Sequence, residues 1–182
     1  MHPTHNTILA NVTAWVETMV IGLELCPFAP KVKNSGELNL KICGSTDTEG
    51  VIIALIEETA RVLAAGGDTT TLLILPKGFA DFDDYLDLLA AAEELLVLQK
   101  LDSQVQLASF HPLYVFEGSD DCDPANYSNR SPYPILHLLQ EESVTRGVDH
   151  YPDIHMLATR NIARLENMGM EAIVALSKRY LG

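Results

Sequence analysis

Cysteine is scarce in this chain, and so are cations. The three cysteines, Cys26, Cys43 and Cys122, are an odd number and form no Cys-x-x-Cys pair. That pattern indicates neither a disulfide framework nor a zinc ribbon, and it fits a reducing compartment. Lys and Arg number 12 against 25 Asp and Glu, a formal net charge of −13. A field of that sign repels phosphate backbones and anionic lipid, so nucleic acid and membrane surfaces are not expected as partners. It leaves anionic small molecules open, because a single arginine acts locally. Long apolar runs are missing as well: charges such as Glu24 and Glu93-Glu94 interrupt every candidate span. The N-terminus has no basic stretch followed by an apolar one, so no signal peptide is expected and the location expected is cytoplasmic. The glycines form no GxGxxG or GxxxxGK[ST], and neither HExxH nor GxSxG occurs. The common dinucleotide, P-loop, zincin and hydrolase-elbow mechanisms therefore lack their parts, and the sequence leaves the cofactor unknown.

What is present is an apolar content of 47% over 182 residues, enough to fill one core. No repeat, low-complexity tract or linker divides the chain, so residues 1–182 are expected to form one domain. Ile8, Val12, Trp15, Val16, Met19, Val20 and Leu23 recur at helical spacing and predict a helix from about Thr4 to Glu24. Pro27 and Pro30 then make Cys26-Pro27-Phe28-Ala29-Pro30 a stiff corner. Leu38–Ile42 alternates like a half-buried strand. Thr70–Leu75 is an apolar, β-branched run typical of a central strand. Val105–His111 reads as a third strand, closed by Pro112.

Between these strands lie two helical patterns, Val51–Ala65 and one from Asp81 to about Lys100. The second opens with Asp81 and Asp84 in capping-box positions. Leu113–Phe116 suggests a short edge strand, and Gly118 to Arg130 a polar loop. Ser131-Pro132 reads as a helix start, carrying Ile135, Leu138 and Leu139 inward as far as Gly147. Two closing helices, Pro152–Met168 and Met170–Leu181, are divided at Gly169. The expected fold class is thus α/β: a small, mainly parallel β-sheet with helices packed around it and a helical C-terminal third.

In open parallel sheets, ligands gather beyond the carboxyl ends of the strands. That rule selects Cys43-Gly44, Lys77-Gly78 and His111-Pro112. A second concentration runs from Asn126 to His137, with Asn126 and Asn129 ordering a loop and Arg130 beside the expected helix start as an anion ligand. On that helix Tyr133, His137 and Glu141 would recur every four residues, with Glu141 orienting His137 as a general base. Every one of these side chains has a plainer reading. Asparagines form turns, Arg130 can tie down a loop, His111 can be a satisfied core histidine, and Cys26 a small buried hydrophobe.

Three segments also carry a resemblance. Leu25-Cys26-Pro27-Phe28-Ala29, Phe110-His111-Pro112-Leu113-Tyr114, and Asn129-Arg130-Ser131-Pro132-Tyr133-Pro134 with His137-Leu138-Leu139 resemble the recurring motifs of the bacterial domain-of-unknown-function family numbered fourteen-fifteen. The likeness runs over nearly the whole chain. It departs at Gln140, where the family favours arginine. The resemblance implies no reaction, but it groups Cys26, His111, Arg130 and His137.

Two functional readings follow, from different classes. One is a small-molecule hydrolase or transferase in which Arg130 holds an anion, His111 or His137 moves a proton and Cys26 is a further candidate nucleophile; Lys77, Asn126 and Asn129 complete its ligand contacts. The other is a non-catalytic domain that binds a metabolite or peptide carboxylate in the same Arg130 pocket, with a metal site of His111, His137 and Glu141, joined by Cys26, as a further alternative.

Overall fold

The computed structural model describes residues 3–151 and 153–181. Helix α1, His5–Trp15, is capped by the Thr4 side chain, which accepts from the Thr7 backbone N–H. It passes without a break into a π-helical stretch, Val16–Ile21. The chain turns at Glu24, whose φ of 50° lies in the left-handed region. The expected helix over Thr4–Glu24 therefore forms, but its last third is wound wider than an α-helix. The proline corner that follows does more than turn the chain, since it starts a short helix α2, Ala29–Ser35, which the sequence reading did not foresee.

Strand β1 (Leu38–Ile42), α3 (Thr48–Ala65), β2 (Thr70–Ile74), α4 (Phe82–Leu98) and β3 (Val105–Phe110) follow in the expected order. Asp81 caps α4 by accepting from the N–H groups of Asp83 and Asp84. Strands β1 and β2 pair in parallel, Leu38 with Thr70 through Ile42 with Ile74. Strand β3 does not join them directly. Between β2 and β3 runs β4, Ile135–Gln140, antiparallel to both, giving the order β1-β2-β4-β3. The fold is α/β as expected, but the sheet is mixed and not mainly parallel.

The segment read as a helix from Ser131-Pro132 to Gly147 is thus corrected: its first half is a central strand, and only Glu141–Asp149 forms helix α5. The physical reason is context. Ile135-Leu136-His137-Leu138-Leu139 is short enough to fit either period, and leucine favours helices in isolation. Here, however, the facing edges of β2 and β3 each present unpaired backbone groups, and an extended segment satisfies both at once. Pro134 biases Tyr133 towards extended backbone, and its carbonyl accepts from the Leu75 N–H at 2.9 Å. Leu113–Phe116, expected as an edge strand, is instead a turn in which the Tyr114 N–H reaches the His111 carbonyl. The C-terminal region is helical, with α6 (Leu157–Met168) and α7 (Met170–Ser177) meeting at Gly169. Pro152, the expected first residue of that region, lies outside the described residues.

Alternation along the strands separates two cores. Leu72, Ile74 and Ile135 face α1, the π-helical stretch, α6 and α7, where Trp15, Met19, Leu165 and Ile173 are buried against them. Leu73, Leu75, Leu136 and Leu138 face α3 and α4, packing on Val51, Leu55, Tyr85 and Leu88. Tyr85 crosses to the sheet, its hydroxyl donating to the Ile135 carbonyl at 2.7 Å. Leu138 is fully buried at the centre of β4. Leu138→Ala should therefore cost about 2–5 kcal/mol in a urea unfolding curve. A surface helix at this position would lose under about 0.5 kcal/mol.

Candidate functional site

The strand register decides which of the singled-out side chains can meet. His111 follows β3 and points to the α3/α4 side, where it lies 5.1 Å from the Phe82 ring and 5.0 Å from the Tyr85 ring. It is fully buried, and both ring nitrogens are engaged: Nε2 donates to the Phe79 carbonyl at 2.9 Å, and Nδ1 accepts the Leu113 N–H at 3.1 Å. Burial pushes its pKa below the ordinary histidine value. His137 sits in β4 opposite Leu72 and Ala108, on the other face of the sheet, 6.0 Å from the Phe110 ring. The Thr70 hydroxyl donates to the Leu138 carbonyl at 2.5 Å, so it accepts from His137 Nε2 at 2.8 Å. Burial holds the His137 pKa down to about 4. The two histidines are separated by the sheet itself and cannot serve one reacting centre. The His137–Glu141 pair expected on a helix is lost with the helix.

Arg130 lies in the loop between β3 and β4. Its Nε donates to the Tyr114 carbonyl at 3.0 Å and its Nη2 to the Asp121 carbonyl at 2.9 Å, with the guanidinium 4.9 Å from the Tyr127 ring centre. Its own carbonyl accepts the Trp15 indole N–H at 2.9 Å. Among the described residues no carboxylate comes within ion-pair distance of it. Asn126, fully buried, holds the same loop: Oδ1 accepts the Phe116 N–H at 3.1 Å, and Nδ2 donates to the Asp120 carbonyl at 2.8 Å. Asn129 Nδ2 donates to the Ser109 carbonyl at 3.1 Å, tying the loop to β3. Lys77 is exposed after β2. Among the described residues no group of three or more His, Cys, Asp or Glu side chains is arranged to hold a metal ion.

Cys26 is placed differently, because it opens onto space. Burial raises the pKa of its thiol, and the backbone N–H groups of Phe28 and Ala29 partly oppose that shift. On one side lies a groove of about 600 Å³, walled by Val20 and Leu25, by Phe110 and Phe116, and by Leu157 and Ile162 of α6, with Ser128 and Asn129 at its rim. On the other side is a more polar cleft of about 260 Å³ formed with Glu24, Arg160, Asn161 and Arg164. Cys26, Leu157 and Asn161 belong to both, so the two spaces adjoin. A third cleft, of about 280 Å³, lies between α2 and α5 around Phe28 and Tyr151. The corner Cys26–Pro30 thus contributes to all three. Asn161 fastens α6 to it, Nδ2 donating to the Leu25 carbonyl at 2.8 Å.

The sequence reading missed α6 as a wall. Leu157, Arg160, Asn161 and Arg164 recur at spacings of three and four and so share one helical face. That periodicity was available, but nothing in it revealed which surface the face would meet.

The fold and these clefts define an α/β protein with a mixed sheet and a ligand-sized groove beside a half-buried thiol. The chain belongs to a protein family of unknown function, DUF1415, whose match covers residues 7–175. Neither the comparison with curated proteins nor that with solved structures gave a match.

Two outcomes check this geometry. His137 should stay neutral until about pH 4, so its ring-proton NMR shifts should be flat through the usual histidine range. Because the folded pKa lies below the unfolded one, the stability it contributes is full above about pH 6.5 and fades as pH falls towards 4. His137→Gln should flatten that part of the stability curve, and an unchanged slope would contradict the assignment. Arg130→Ala, by freeing the Tyr114 and Asp121 carbonyls, should lower stability by about 1–3 kcal/mol in chemical denaturation.

Proposed function

We propose that the protein is a binding domain for a small, largely apolar molecule, held in the groove beside Cys26. The observation that carries this reading is convergence. Three segments far apart in sequence supply the groove: Leu25-Cys26, Phe110, and Ser128-Asn129. These are the segments whose motifs resemble the family pattern. A volume near 600 Å³ is in the range that holds drug-sized ligands, and the walls are apolar with few polar groups, as such sites are. Irregular backbone gathers at the same place. The π-helical stretch supplies Val20, and left-handed Glu24 stands two residues before Cys26. Such departures concentrate at functional positions because regular structure would not keep them without a compensating use.

A second reading, an enzyme with Cys26 as nucleophile, draws on one observation, the Phe28 and Ala29 N–H groups directed at the sulfur. Burial works against it by favouring the neutral thiol, which is the unreactive form. The hydrolase or transferase reading built on His111, His137 and Arg130 draws less on the geometry, since both His111 nitrogens, His137 Nε2 and two of the Arg130 nitrogens are engaged by the protein and the histidines face opposite sides of the sheet.

Filling the groove separates these readings. Ala158 is exposed on the groove wall, so Ala158→Trp should fold normally and abolish binding of an apolar fluorescent dye. Undiminished dye binding by a folded variant would place the ligand elsewhere. Alkylation of Cys26, followed by mass spectrometry, should accelerate only above the ordinary cysteine range and should slow when dye is bound. An inflection near neutral pH would favour the nucleophile.

A further inference from the structure

The groove's polar neighbour bears on what its ligand carries at one end. Arg164 donates to the Leu23 carbonyl and pairs with Glu24 at 2.8 Å, so that cation is neutralised. Arg160 has no such partner. Its Nη2 donates to the Asp153 carbonyl at 3.3 Å, its guanidinium rests 5.6 Å from the Tyr151 ring centre, and among the described residues no carboxylate lies within ion-pair distance. The remaining guanidinium donors are open to the cleft. The cleft that adjoins the apolar groove thus presents one cation without a carboxylate partner. The contrast with the α2/α5 cleft is informative. There Lys31 and Arg146 both pair with Asp68, at 2.5 and 2.9 Å, Ser143 donates to the same carboxylate at 2.9 Å, and Arg146 pairs also with Glu142 at 3.0 Å, so two carboxylates meet the two cations.

We infer that the ligand is an amphiphile with an aliphatic body and one carboxylate, the body in the Cys26 groove and the carboxylate on Arg160. The inference rests on the binding reading above and specifies its ligand. Two arginines and one glutamate line the polar cleft, which leaves it one positive charge in excess. A single carboxylate neutralises that excess. A doubly charged phosphate would overshoot it and meet Glu24. The planar guanidinium fork matches a carboxylate in two-point contact, and stacking on Tyr151 holds it in place. Leu157 and Asn161 line both spaces, so the path from body to head is continuous.

Competition against the groove-bound dye tests this with four ten-carbon probes below their micelle concentrations: decanoate, decanol, decyl phosphate and decyltrimethylammonium. Decanoate should displace the dye at a concentration at least tenfold below decanol, and added salt should narrow the gap. Arg160→Gln should bring decanoate and decanol level, with the thermal melt unchanged; Arg160→Lys should fall between. If decanol matches decanoate on the wild type, the groove reading stands and the carboxylate assignment is wrong. If decyl phosphate competes better than decanoate, the single-charge assignment is wrong. If no probe displaces the dye and Ala158→Trp leaves its binding intact, the groove reading itself fails.

Discussion

The organising constraint of this structure is that β4 must satisfy two strand edges at once. Strands β2 and β3 point the same way but are not neighbours, and the antiparallel strand between them completes the hydrogen bonding of both. Leu136 and Leu138 then fall on the α3/α4 side, while Ile135 and His137 fall on the other. Once that register is set, His111 and His137 are committed to separate cores. The loop carrying Asn126 to Arg130 must bring the chain back from the end of β3 to the start of β4. Its polar side chains bond its own carbonyls and those of β3, which is how a loop so close to the core avoids unsatisfied backbone groups.

The same sheet face that holds His137 also supplies the floor of the groove through Phe110. Trp15 packs edge-on against Phe110 at 5.1 Å, and its indole N–H holds the Arg130 carbonyl. The π-helical stretch follows directly on Trp15, and its wider winding delivers the Leu25 N–H to the Val20 carbonyl at 2.9 Å before the proline corner. Core, corner and groove are therefore mechanically linked. A ligand seated against Phe110 and Leu25 would press on elements fastened to the loop, to α1 and, through Asn161, to α6.

Much of the fold was legible in the sequence because period and punctuation agreed. Asp81 caps, Pro112 ends a strand, and Gly169 separates two helices, each by a local rule that the tertiary structure does not override. The failure that mattered most has one cause. Ile135–Gln140 carries an apolar pattern too short to distinguish strand from helix, and only the neighbouring strand edges decide it. The strand that forms there removes the His137–Glu141 pair expected on a helix. Near the candidate site, the proline corner that carries Cys26 was legible. Its surroundings were not, because a groove between a helix face and a sheet edge is a property of assembly. Arg160 and Asn161 share one face of α6, and only the assembled corner puts that face beside Cys26.

Amide chemical-shift mapping during a decanoate titration addresses the groove most directly. The account predicts that the largest changes fall on Val20, Leu25, Cys26, Phe110 and Ile162, with Arg160 responding at the polar end. Changes centred instead on His111 and Arg130, or on the Lys31–Asp68–Arg146 cluster, with the groove silent, would contradict it.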